Sequence, residues 1–187
     1  MGVVNAVPSA TVGIAPGEVG KAIDLTAHGS YLTLGPDRAL DLSLRGETLA
    51  AWVRFTATGI EPILSKGAAW YLGQTADEHL TFCADTAGGK HCITGTDTLQ
   101  RDRWYHVAFT ADSGGFVTLY VNARIQAQGR LANSTIPADT PLLIGSDATR
   151  HAFLDGWLDE LMLYQRALTL PELKALVNMP ACLAAHS

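Results

Sequence analysis

Between Glu47 and Phe55 the apolar residues Leu49, Ala51, Val53 and Phe55 fall on every second position. A period of two places them on one face of a strand. The same alternation recurs along most of the chain. Gly20-Lys21-Ala22-Ile23-Asp24-Leu25 predicts a first firm strand with Ile23 and Leu25 on one face. His28-Gly29-Ser30 turns the chain, and Tyr31 to Leu34 resumes the pattern. Ile60 to Ser65, Ala69 to Gln74, His79 to Ala84 and His91 to Gly95 are short segments with turn residues between them. Trp104 to Ala111 and Phe116 to Val121 are two strands joined by Asp112-Ser113-Gly114-Gly115, and Ile125 to Arg130 and Leu142 to Gly145 follow. Short strands with turn signals about every 8–12 residues predict an all-β antiparallel sandwich of two sheets.

One segment breaks the pattern. A strand through Trp157 runs into Thr169-Leu170-Pro171-Glu172. Thr169 suits an N-cap, Pro171 the first turn and Glu172 the third position, which together form a capping box. Leu170, Leu173, Leu176 and Val177 then recur at helical spacing, so one short C-terminal helix is expected to pack on the sandwich. Residues 1–16 read as an irregular lead-in with an edge strand, because Pro8, Gly13 and Pro16 punctuate them. Residues 17–178 form the domain and 179–187 a tail. There is no internal repeat.

Composition narrows the classes. The 187 residues are 48% hydrophobic and 17% charged, enough apolar material for a single core. The net charge is −5 and the basic residues are scattered, which argues against nucleic acid as a partner. No apolar run approaches the roughly 18 residues of a membrane span, so no membrane insertion is expected. Met1-Gly2-Val3-Val4 shows no signal peptide, which fits an excised domain and leaves an intracellular protein as the alternative.

Of three cysteines, Cys83 and Cys92 flank a Gly88-Gly89 turn signal. A hairpin there brings them together across the ladder as a disulfide, implying an oxidising compartment. Two reduced thiols are the alternative, and a metal pair is disfavoured because only His91 is near. Cys182 is left over in the tail. Asn133-Ser134-Thr135 is a glycosylation sequon, meaningful in a eukaryotic secretory host.

Several polar residues could carry chemistry. Asp159 shares simple strand parity with Trp157, Leu161 and Leu163 and so is expected to point inward. A buried carboxylate is costly unless it is paired or ligated. Trp70 follows Lys66-Gly67-Ala68-Ala69 at a loop-to-strand junction beside Tyr71, where an aromatic face could stack on a sugar. Asp77, Asp147 and Arg150 are further loop groups that could line such a site. For Trp70 ordinary packing, and for the loop groups plain solvation, are the competing readings. His106 lies within a strand, which suits a hydrogen-bonded structural histidine, while His79, His91 and His151 are too dispersed for a zinc site. No nucleophile elbow, phosphate loop or dinucleotide fingerprint occurs.

Four stretches in order resemble laminin-G-like, concanavalin A-like jelly rolls. They are Gly17-Glu18-Val19-Gly20-Lys21-Ala22-Ile23-Asp24-Leu25, then Leu49-Ala50-Ala51-Trp52-Val53-Arg54. Arg103-Trp104-Tyr105-His106-Val107-Ala108 with Leu119-Tyr120-Val121-Asn122-Ala123 forms the third. The fourth is Leu154-Asp155-Gly156-Trp157-Leu158-Asp159-Glu160-Leu161-Met162-Leu163-Tyr164-Gln165-Arg166-Ala167-Leu168-Thr169-Leu170-Pro171-Glu172-Leu173. The resemblance implies a two-sheet antiparallel jelly-roll sandwich. It implies a core role for Trp52 and Trp104, and Trp157 reads as core beside them. In relatives with this fold calcium often ties the last strand to loops near the first, which would use Asp159, with Asp24 as a second ligand facing the other side of its strand. Calcium needs oxygen ligands at about 2.3–2.6 Å. The alternative is that Asp159 accepts backbone N–H groups and holds no metal. The family usually has Phe-Asp-Gly where this chain reads Leu25-Thr26-Ala27.

The resemblance also frames function. A glycosidase of this fold places paired acids on one strand, and neighbouring Asp159 and Glu160 point to opposite faces. The expectation is therefore not an enzyme. It is a secreted or surface-displayed carbohydrate-binding, lectin-like module, with calcium as a structural cofactor and a glycan or polysaccharide as partner. The alternative is a structural or protein-interaction module contacting other domains of a larger parent protein.

Overall fold

The computed structural model describes residues 6–9, 11–35, 44, 46–86, 88–131 and 140–178. Cys182 and the Asn133–Thr135 sequon lie outside them. Among the described residues the chain forms fourteen strands and one helix. The strands are β1 (Ala6–Pro8), β2 (Gly13–Pro16), β3 (Lys21–Asp24), β4 (Leu32–Leu34), β5 (Glu47–Phe55), β6 (Glu61–Lys66) and β7 (Trp70–Gln74). They continue as β8 (His79–Thr86), β9 (Gly89–Thr98), β10 (Trp104–Ala111), β11 (Phe116–Val121), β12 (Arg124–Arg130), β13 (Leu142–Ile144) and β14 (Gly156–Tyr164), and α1 is Leu170–Val177.

Two seven-stranded sheets result. The first runs β1-β4-β13-β6-β7-β8-β9 and the second β12-β11-β10-β5-β14-β3-β2. Every pairing is antiparallel, as the hairpin spacing predicts. Leu49, Val53 and Phe55 of β5 meet Leu72, Phe82, Val107 and Phe109 in one core between the sheets. A second, smaller cluster lies outside the second sheet, where Leu168 and Leu173 cover Ala50, Ala108 and Tyr120. The helix packs on the sandwich through Leu173, Leu176 and Val177 of its predicted stripe, while Leu170 is exposed. At its start Glu172 accepts the Thr169 N–H at 2.8 Å, and Arg166 grips the same carboxylate at 3.0 and 2.6 Å.

The lead-in differs from expectation. It supplies two edge strands, one to each sheet: β1 pairs with β4, and β2 pairs with β3. Both are short and contain proline, which edges tolerate because no ladder donor is needed on the outer side.

Parity in β14 also differs. The pairing with β5 shifts register between Asp159 and Met162, and Glu160 takes a φ of 47°. This β-bulge re-aims the strand. Leu158 faces the core before it, and Leu161 and Leu163 pack against the core after it. Trp157 and Asp159 therefore lie on the outer face, not inward with Leu161 and Leu163. Trp52 and Trp104 belong to that same outer face, because Trp104 pairs with Arg54, Arg54 with Trp157, and Trp52 with both His106 and Asp159. Trp52 is covered there, 8% exposed with an edge-on contact to His106 at 5.3 Å, whereas Trp104 and Trp157 are half-buried. The Arg54 guanidinium sits 4.7 Å over the Trp157 ring.

Candidate functional site

Strand parity on the first sheet builds a transverse row. Leu143 stands opposite Ser65, Ser65 opposite Tyr71, Tyr71 opposite Cys83, and Cys83 opposite Cys92. Partners directly opposite share a face. Leu72 and Phe82, one residue away, are in the core, so this row looks outward. Cys83 and Cys92 are joined as a disulfide, the pairing that the Gly88-Gly89 turn predicts. The loop after β13 comes over the row and brings Asp147 and Thr149 with it. A cleft of about 280 Å³ lies between them, walled by Ser65, Tyr71, Cys83, Asp85, Lys90 and Asp147.

Each wall is held in place. The Ser65 hydroxyl donates to the Ser146 carbonyl at 2.8 Å, tying β6 to the overlying loop. Asp147 shapes that loop: one carboxylate oxygen accepts the N–H groups of His151 and Ala152 at 2.9 and 3.1 Å, and the other takes the Thr149 hydroxyl. Burial opposes ionisation of Asp147, but these donors outweigh it and hold its carboxyl below the usual range. The Tyr71 phenol lies over Gly73, where a β-carbon would stand 2.3 Å from Oη, so only glycine leaves room for it. Burial, with the nearby charges of Asp147 and Glu61, pushes the Tyr71 phenol upward, so it stays a neutral aromatic. Asp85 and Lys90 stand opposite each other across the β8–β9 hairpin. One aromatic face, a disulfide and a few charged or hydroxyl groups give an apolar floor with directional polar contacts.

The predicted site residues separate. Tyr71 and Asp147 come together in the cleft. Trp70 borders it but its indole is 1% exposed, stacked 6.0 Å from Phe82 and edge-on to Phe109. Trp70 alternates with Tyr71 and faces the core, so it is not a sugar platform. Asp77 lies on the turn after β7, at the other end of that strand, and takes no part. Arg150 is outside the cleft lining, with its guanidinium 5.6 Å over Tyr31. Ser65, Asp85 and Lys90 were not expected. The signal for Ser65 was present, since a tight turn at Gly67 makes it the neighbour of Tyr71, while Asp85 and Lys90 follow from the β8–β9 hairpin that Cys83 shares.

Asp159 is 5% exposed. Its Oδ2 accepts the Val19 N–H and its Oδ1 the Glu160 N–H, both at 2.8 Å. Asp24 faces the outer side, as Trp157 opposite it does, and so lies on the other side of its strand from Ile23 and Leu25, as expected. Burial works against its charge, but the Thr26 hydroxyl at 2.7 Å and N–H at 3.0 Å lower its pKa on balance. Among the described residues no three His, Cys, Asp or Glu side chains gather as a metal cluster. Asp159 thus has the donor set of a clasp on main-chain N–H groups, which does not fit a calcium cage. His106 is 2% exposed beside Trp52, and burial pushes its pKa down to about 4, so it is a neutral structural ring.

The sequence profile of the concanavalin A-like lectin/glucanases superfamily matches residues 26–174, and the chain belongs to that superfamily. Among curated proteins none matches the sequence. Solved structures share the fold. The binding domain of Paraclostridial Mosquitocidal Protein 1 is 17% identical with a TM-score of 0.76, over 94% of this chain and 47% of that one. The botulinum neurotoxin serotype C1 binding domain is 13% identical with a TM-score of 0.73, over 94% and 47%. Domain 4 of AbnA, a GH43 extracellular arabinanase from Geobacillus stearothermophilus solved with arabinotriose, is 23% identical with a TM-score of 0.73, over 91% and 82%. The chain thus spans about half the length of the toxin binding domains it matches. No helix among the described residues is long and apolar enough to cross a membrane.

Proposed function

We propose that the chain is a non-catalytic carbohydrate-binding module of an extracellular or surface protein, and that the Tyr71 cleft holds the sugar. The observation that carries this is the placement of a neutral tyrosine between Asp147, Ser65, Asp85 and Lys90 in one cleft. Sugar rings present apolar C–H faces and a fringe of hydroxyls. An aromatic floor meets the first, and carboxylate, hydroxyl and ammonium groups meet the second. Asp147 is held ionised, the opposite of what a general acid needs. The likeness to an arabinanase domain solved with arabinotriose supports a glycan as the ligand class. The Cys83–Cys92 disulfide supports an oxidising setting. Calcium gains no support from the donors around Asp159, and the proposal does without it.

The test is calorimetric titration with arabinotriose after a glycan panel. Saturable binding by the wild type and its loss in a Tyr71→Ala variant that still folds cooperatively is the expected result. No binding across the panel would leave a structural or protein-interaction module as the reading.

A further inference from the structure

We propose that a second cleft, at the far end of β9 from the first, binds the carboxylate of an acidic saccharide through Arg103 and Arg124. The first cleft reaches Lys90 near the start of β9, and the second opens beside Thr96, Asp97 and Thr98 at its end. It encloses about 430 Å³, within the range of small-ligand pockets.

Its polar groups are mostly donors. The Asn122-Ala123 turn, with φ of 50° and 55°, reverses the chain so tightly that Arg124 stands opposite Val121 at the cleft wall. Asn122 Oδ1 accepts the His106 N–H at 2.9 Å. That fixes the side-chain amide with its NH2 group facing away, and no protein acceptor among the described residues takes it. The Arg103 guanidinium is steadied 5.5 Å over the Tyr105 ring. The Gln100 N–H goes to Tyr105 Oη at 3.0 Å, and its side-chain amide has no partner among the described residues. Asp97 is the one carboxylate of the cleft, and Gln126 Nε2 donates to its Oδ2 at 2.9 Å. Neither arginine forms an ion pair among the described residues.

Two unpaired guanidiniums and two free amides therefore line a cleft on a chain whose net charge is −5. The planar fork of arginine matches the two oxygens of a carboxylate. A uronate oligomer offers that carboxylate on a polyhydroxylated ring suited to Thr98 and Gln100.

The full 187-residue chain is titrated with trigalacturonate, with arabinotriose and with a sulfated oligosaccharide of equal charge. Trigalacturonate is expected to bind, with affinity falling as NaCl rises. Arg103→Gln and Arg124→Gln are each expected to weaken it about tenfold, the scale of one charge-assisted hydrogen bond. Arg103→Lys keeps the charge but loses the fork, and should not restore full affinity. All these variants should melt with the wild type, because both side chains are exposed. The proposal does not rest on the Tyr71 cleft: Tyr71→Ala should retain trigalacturonate binding whatever happens to arabinotriose. No saturable binding by the wild type, undiminished binding by the double Arg→Gln variant, or preference for the sulfated probe would each overturn it.

Discussion

A β-carbon on Gly17 would stand 2.4 Å from Oδ2 of Asp159 and 2.9 Å from its Cγ. Nothing but glycine fits there, because the carboxylate must reach past position 17 to the Val19 N–H. This contact fastens the turn before β3 to the last strand, 140 residues away in sequence. Gly17→Ala and Asp159→Asn should each destabilise the fold by about 1–3 kcal/mol, the scale of a buried hydrogen bond left unmade. The double variant should cost less than the sum, since both changes break one contact. Thermal melts check this, and they should superimpose in calcium and in chelator. A chelator-sensitive wild type would return a metal to Asp159.

Tyr71 and Trp70 are neighbours with opposite roles. Trp70→Ala removes a fully buried indole and should cost about 3–5 kcal/mol. Tyr71→Ala should destabilise the fold less than Trp70→Ala, because Tyr71 is only half-buried, and should abolish sugar binding. If Tyr71→Ala unfolds the protein as readily as Trp70→Ala, the cleft tyrosine is a packing residue and the binding proposal loses its floor.

The strands were legible where alternation was regular. Leu49, Ala51, Val53 and Phe55 announce β5, and the glycine turn between Cys83 and Cys92 announces their bond. The bulge was not legible, because nothing about Glu160 marks a residue of positive φ. One extra residue there left Leu161 and Leu163 facing the core as expected and turned Trp157 and Asp159 to the outer face. The tryptophans were misplaced for a related reason. A two-sheet sandwich has an outer face that side chains and a helix can cover, and apolar residues there look like core in one dimension. The cleft needed three dimensions: Asp147 reaches Tyr71 only because β13 pairs with β6.

The Cys83–Cys92 bond closes a short loop, with a sequence separation of 9. Loop-closure entropy on that scale is worth roughly 2.5–3 kcal/mol. Cys83→Ser with Cys92→Ser should lower the melting temperature accordingly. It should also weaken sugar binding several-fold, because Cys83 is part of the cleft wall beside Tyr71. Titration of the double serine variant checks this; undiminished affinity would remove the disulfide from the site.

Two buried groups pull stability in opposite directions with pH. Glu61 is 5% exposed, and burial raises its pKa to about 7, against the lowering effect of the Asp155 N–H at 2.7 Å. The folded state therefore holds a proton that the unfolded chain releases near the ordinary glutamate value of 4.5, so this contribution is full below 4.5 and lost as pH rises through 7. His106, lowered from 6.5 to about 4, does the reverse: the unfolded chain binds the proton first, and stability falls as pH drops from 6.5 towards 4. Between about pH 4.5 and 6.5 the two effects offset each other. Above 6.5 only the Glu61 effect remains, so the melting temperature of the wild type should fall between pH 6.5 and 8. Glu61→Gln keeps an acceptor for the Asp155 N–H and should flatten that fall. With Glu61→Gln in place the His106 effect stands alone, and stability should then drop on acidification below pH 6.5. A wild-type melt that is flat or rising from pH 6.5 to 8 would show that Glu61 is already ionised in the folded protein.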